Sequence, residues 1–296
     1  MTVAKGTVHD LGYKRYVGTR RPQSTRWRVI ARNVMRHAWK GFWRFKLPLL
    51  VAAINTTVFG VLISNEQFMS VGRRVVASPE DVMLFASYAD LGWYCRAAFF
   101  CTLLTAAGAV ASDTQSGAFS FYFARPVRTI DYVIGKLAGY WLLMAILLVG
   151  APLILAGIRL GMYGDGEAAL RHADLLAKVI GIGLLGSLAF AAVPLAISAL
   201  VPNRRYALAL WATYYIVIGN IIALVGARNA PVLAMLDIPS AIKTMAYHLF
   251  DFKIVDARIP SLTSAVSGLL IHTGVAVAIL YAPVARARSS GVGGSG

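Results

Sequence analysis

Residues 179–201 read VIGIGLLGSLAFAAVPLAISALV. The run carries no charged side chain, and about 20 consecutive apolar residues in a helix rising 1.5 Å per residue cross the hydrocarbon core of a bilayer. Five more windows have this character, at 47–64, 91–111, 134–160, 207–227 and 264–284. The whole composition agrees, with 58% hydrophobic residues, 14% charged residues and a mean hydropathy of +0.64. That is more apolar surface than a soluble chain of 296 residues can hide. The sequence therefore predicts an all-α polytopic membrane protein with six transmembrane helices.

A formal net charge of +16 would suggest a nucleic-acid partner in a soluble protein. In a membrane protein, the place of the charges decides, and no nucleic acid is expected here. Twelve of the 29 Lys and Arg precede Leu47. Residues 1–46 lack an apolar core followed by a small-residue cleavage site, so they read as a cytoplasmic segment and not as a cleaved signal. An even number of spans then returns the chain to the same side, together with the loops at 112–133 and 202–206. Counting Lys136 and Arg159 at the two edges of the third window, that side holds 19 Lys and Arg against nine on the other, which has the sign of the positive-inside rule. The expected location is the inner (cytoplasmic) membrane, with both termini in the cytoplasm. The layout read from this is a tail over 1–25, an amphipathic helix over 26–46, six spans over 47–284 and a tail over 285–296. The closing residues 291–296, GVGGSG, have linker composition.

Arg28, Arg32, Arg36, Lys40 and Arg44 recur every four residues, while Trp27, Ile30, Val34, Ala38, Trp39 and Phe42 fill the other side of the same helix. This predicts an interfacial helix whose cations meet anionic headgroups and whose Trp27 and Trp39 sit at headgroup level. On the outer side, Ser78-Pro79-Glu80-Asp81 reads as a helix start. The long connection at 228–262 contains AIKTMAYHLF, a short amphipathic stretch expected to dip back into the outer leaflet.

Catalytic chemistry is missing from the pattern. There is no GxxxxGK[ST] phosphate loop, no HExxH and no CxxC, so neither ATP binding nor a metal site is expected in this chain. His248 and His272 read as an interfacial and a packing histidine, not as ligands. Cys95 and Cys101 are six apart on one helix, on different faces, and cannot form a disulfide with each other. The only glutamates, Glu66, Glu80 and Glu167, fall outside the spans, leaving little for an intramembrane acid-base catalyst. Arg96 is the charged residue well inside a span. It either snorkels to the nearby outer interface or lines a polar pathway. Pro152 and Pro194 are expected to kink spans three and four.

The segment 111–136, ASDTQSGAFSFYFARPVRTIDYVIGK, lies on the cytoplasmic side between spans two and three. Ser112 and Gln115 suggest a capping box that opens a short helix over 112–126, ended by Arg125-Pro126. Thr129 then reads as the cap of span three, with Asp131 in its first turn. Phe119, Phe121, Tyr122 and Phe123 fall within five residues and need a cover of headgroups or protein. Asp113 reads as a cap for its own helix.

Asp113, Gly117, Ala118, Ala124-Arg125-Pro126-Val127, Tyr132 and Gly135-Lys136 resemble the acidic-x-x-x-G-[TA] … [SA]-R-P-[VL] … Y … G-K signature of ABC-2 type permeases, with Asp where the family more often has Glu. The resemblance implies the membrane-spanning subunit of an ATP-binding-cassette (ABC) exporter. It also implies a coupling helix between spans two and three that docks in a cleft of the ATPase. Asp113, Gly117, Phe119, Phe121, Tyr122, Arg125 and Pro126 would be the residues of that contact. The implied partners are an ABC ATPase in trans, which would hold ATP and Mg²⁺, and a second permease copy or a paralogue. A six-span transporter or channel of another class, and a membrane anchor for a cytoplasmic complex, are the competing readings.

Overall fold

The computed structural model describes residues 23–65, 92–124, 127–163, 166–229, 231–251 and 259–292. Ser78 to Asp81, Arg125, Pro126 and all but the last residues of the 1–25 tail lie outside them. The described residues are helical and contain no strand. A leading helix, α1 (Arg26–Lys40), precedes six helices long and apolar enough to cross a membrane. These are α2 (Phe42–Ser64), α3 (Trp93–Gln115), α5 (Thr129–Gly161), α6 (Ala169–Leu200), α7 (Arg204–Gly226) and α9 (Leu262–Ser289). Two shorter helices lie between spans, α4 (Ala118–Phe123) and α8 (Ile238–Leu249). The spans thus match the six apolar windows. Several run past their apolar windows, α5 by starting at Thr129 and α6 by starting at Ala169.

The fourth span, α6, is the hub. Of its most apolar window 67% is buried, against 11% for α7. Its sequence explains this, because Gly183, Gly186, Ala189, Ala191 and Ala192 keep the helix surface low and let neighbours approach. A Cβ at Gly183 would overlap the Leu148 carbonyl of α5. Pro152 has no N–H to offer that carbonyl four residues back, and the helix relaxes into a π turn at Ile146–Gly150 just before it. The expected disturbance at Pro152 thus takes the form of a π turn.

The amphipathic helix differs in extent and in what it covers. It stops at Lys40, since Gly41 is extended (ψ 131°), and Phe42–Lys46 already belong to the helix of the first span. Its buried side chains, Ile30, Ala31, Val34 and Ala38, pack on α5. The close approach depends on two glycines a turn apart. A Cβ on Gly135 would stand 2.6 Å from Ile30 Cβ, and one on Gly139 2.8 Å from Val34 Cβ. The cationic row of Arg28, Arg32, Arg36 and Lys40 is exposed, as are Trp39, Phe42 and Trp43, while Trp27 is half-buried.

At the other end of the bundle the chain folds back between α7 and α9. A 3₁₀ turn at Pro231–Leu236 leads to Asp237, whose carboxylate caps α8 by accepting from Ser240 N–H and Oγ–H at 3.0 and 2.7 Å. Tyr214 Oη donates to the Leu236 carbonyl (3.2 Å) and lies 2.6 Å from His272 Nε2. His272 is ten residues into α9, about 15 Å along the helix from Leu262. The α8 residue Ile242 packs on Gly186 near the middle of α6. The AIKTMAYHLF stretch is therefore part of a helix that fills the groove between spans.

Candidate functional site at the basic end

The segment between the second and third spans is built from residues scattered through the signature. The second span is not one smooth helix. Ala106 and Ala107 N–H both donate to the Thr102 carbonyl at 2.8 Å, and the helix restarts at Ala109–Gln115. Ser198 of α6 caps the restart, its Oγ accepting from Val110 and Ala111 N–H at 3.0 Å each. Tyr140 Oη donates to the Thr105 carbonyl at 3.0 Å, and Trp211 Nε1 to Thr102 Oγ1 at 3.1 Å. Three other spans therefore hold this break.

This arrangement corrects the expected capping box. Ser112 lies inside the helix and its N–H bonds the Gly108 carbonyl (2.9 Å), so it has no free first-turn N–H to cap. The helix ends where Gly117 takes φ +65°, a left-handed conformation that a side chain disfavours. The short helix accordingly begins at Ala118, not Ser112, and runs to Phe123. Thr129 is the first residue of α5 and not its cap. The Asp131 carboxylate instead accepts from the Arg128 N–H at 3.0 Å.

Asp113 is the larger correction. It does not cap its own helix but reaches across to α5. Its Oδ2 lies 2.8 Å from Lys136 Nζ and accepts from Tyr132 Oη at 2.7 Å. Lys136 also lies 5.5 Å from the Tyr132 ring centroid. The acidic residue, the tyrosine and the lysine of the signature thus form one knot that ties the end of α3 to the start of α5. Gly135, beside Lys136, gives α1 its seat against the same knot.

The aromatic residues divide into two groups. Phe119 and Tyr122 meet the Tyr132 ring edge-on at 5.3 and 5.4 Å, and Phe119 stacks with Phe123 at 5.8 Å. These three are half-buried against their own chain, where α4 also touches α9. Only Phe121 points away, 77% exposed. It stands at the rim of a groove of about 600 Å³ shared with Arg26, Val29 and Val127. The need for a cover thus falls on one ring and not on four.

Arg96 lies elsewhere, at the opposite end of the bundle. Its exposed guanidinium sits 4.9 Å over the Trp93 ring and lines a cavity of about 320 Å³ with Asn220, Asp237 and Lys243. Among the described residues no cluster of His, Cys, Asp or Glu has metal-site geometry, and Cys95 and Cys101 are separately buried thiols. Sequence reasoning missed Ser198 and the roles of Tyr132 and Lys136. The signature named the last two, but nothing in local spacing says that they meet Asp113.

A family model described as ABC-2 family transporter protein matches residues 80–286. No curated protein matches the chain.

Proposed function

Because the chain belongs to the ABC-2 transporter family and is a multi-pass membrane permease of an ABC transporter, we propose that it forms the pathway of an exporter driven by a separate ATPase chain docked against α4. Family membership implies an ABC ATPase as partner. The observation that carries the docking site is Phe121, an exposed ring on a helix where Phe119 and Tyr122 pack on Tyr132 and Phe123 stacks on Phe119. The knot of Asp113, Tyr132 and Lys136 would carry a push on α4 directly into α3 and α5. ATP and Mg²⁺ bind on the partner, since this chain has no phosphate loop. We place the basic end, with α1 and α4, in the cytoplasm of an inner-membrane protein with both termini on that side, on the strength of the charge asymmetry. A second copy or a paralogue completes the pathway, with the cavity at Arg96 near its outer end.

Co-purification tests the reading. Burying a Phe is worth about 1.5–3 kcal/mol, so Phe121→Ala should weaken capture of the co-expressed ATPase roughly tenfold or more without loss of membrane insertion. The isolated chain should hydrolyse no ATP. Undiminished capture of the ATPase by Phe121→Ala, or robust hydrolysis by the isolated chain, contradicts the proposal.

A further inference from the structure

Behind the knot, where α1, α2, α3, α5 and α7 meet, lies a second cavity of about 240 Å³. Arg44, Lys136, Arg204, His37 and Asn33 line it, with Asp113 as the one carboxylate. That carboxylate is already engaged by Lys136 and Tyr132, so Arg44 and Arg204 are left facing the space without a counter-charge from the lining. Both are held in place. Arg44 Nη1 donates to His37 Nε2 at 2.6 Å and to the His37 carbonyl at 3.2 Å. Arg204 drapes its stem over Gly108, where a Cβ would stand 2.6 Å from its Cγ. The two guanidinium groups repel each other across a small cavity unless an anion joins them, and their geometry matches phosphate oxygens. Arg44 also sits at the turn from α1 into the first span, just before the apolar run that starts at Leu47, which is the level expected of headgroups.

We propose that this cavity binds a phosphate group between Arg44 and Arg204, with Asn33 and His37 as further partners, and that an anionic phospholipid of the inner leaflet supplies it. The assignment to the inner leaflet rests on the orientation proposed above; the site itself does not. A bound phosphate would bridge α2 and α7, with Asn33 and His37 of α1 beside it, and so stiffen the platform that carries α4. Basic pockets between transmembrane helices on the cytoplasmic side are a recurrent means of holding anionic headgroups.

The test uses the full chain in detergent, with dioctanoyl phosphatidylglycerol as probe and native mass spectrometry as readout. One lipid should bind in preference to dioctanoyl phosphatidylcholine. Arg44→Gln with Arg204→Gln should weaken that binding at least tenfold. Lys46→Gln with Arg205→Gln removes the same charge from the same two elements outside the cavity and should leave it within about twofold. Equal losses in the two double variants, or full binding in the first, would overturn the site. Displacement by millimolar inorganic phosphate would keep the site but make a soluble anion its ligand, while resistance to phosphate supports the lipid. Should Arg44→Gln with Arg204→Gln fail to fold, the wild-type chain still decides. The probe lipid should raise the His37 imidazole pKa followed by NMR, because an anion would offset Arg44, Lys136, Lys40 and Arg204 around it. No movement of that titration at saturating lipid refutes the proposal.

Discussion

Replacing Asp113 by Asn would measure what the knot contributes. The carboxylate lies 2.8 Å from Lys136 Nζ, and the two side chains are 18% and 9% exposed. Removing one partner from a buried pair costs about 3–5 kcal/mol, mostly because the remaining charge is left without compensation. Residual exposure of Asp113 puts the expected loss near the lower end, about 3 kcal/mol. The Tyr132 hydrogen bond survives, since an Asn oxygen accepts it as well, so the loss belongs to the ion pair. At about 2–4 °C per kcal/mol for a large domain, Asp113→Asn should melt roughly 6–12 °C below wild type. Adding Lys136→Met removes the orphaned ammonium and supplies an apolar chain of similar length, which should recover more than half of the deficit. The assay is thermal unfolding of the detergent-purified chain at one fixed scan rate. Asp113→Asn melting within 2 °C or so of wild type, or no recovery in the double variant, would show that the pair is only a weak surface contact.

Further outcomes follow from other contacts. Gly135→Ala sets a methyl 2.6 Å from Ile30 Cβ and 2.8 Å from the Trp27 carbonyl. It should push α1 off α5, read as faster amide exchange over 26–40 and a lower melting temperature, whereas unchanged exchange would mean that α1 is not seated there. Ser198→Ala removes the acceptor of two buried N–H groups and should cost about 1–3 kcal/mol in the same melting assay, with Ser198→Thr largely retaining stability. Burial, and then the Arg44 charge, hold the His37 imidazole below its ordinary 6.5. The folded protein then binds fewer protons than the unfolded chain below that pH, so this group's contribution is present above pH 6.5 and lost as the pH falls through the lowered value. Melting temperature should drop between pH 7.5 and 5.5, and His37→Gln, which keeps an acceptor for Arg44, should flatten that slope. Parallel slopes would remove His37 from the account.

How far the site was legible varied residue by residue. Gly117 was expected inside a helix over 112–126, yet it holds φ +65° and divides two helices there. Phe121 was legible as an aromatic needing a cover, but so were Phe119, Tyr122 and Phe123, and periodicity alone cannot say which ring faces out. The caps misled. Ser112 and Gln115 have the residue types of a capping box, yet the helix had already begun at Ala109, capped by Ser198 from a span some 90 residues away. A local cap signature competes with any tertiary donor or acceptor and loses when the latter is buried.

The six spans, their order, the basic first segment and the lack of a GxxxxGK[ST] motif were properties of the sequence by itself. Each depends only on local composition: transfer of about 20 apolar side chains into hydrocarbon is additive along the chain and needs no knowledge of neighbours. Pairings were decided only by the tertiary structure. Which helix α1 covers, which cation Asp113 meets and which polar groups surround Arg44 and Arg204 depend on how six similar apolar rods pack. That packing is set by small residues such as Gly135, Gly139, Gly183 and Gly186, whose shapes must fit a partner distant in sequence.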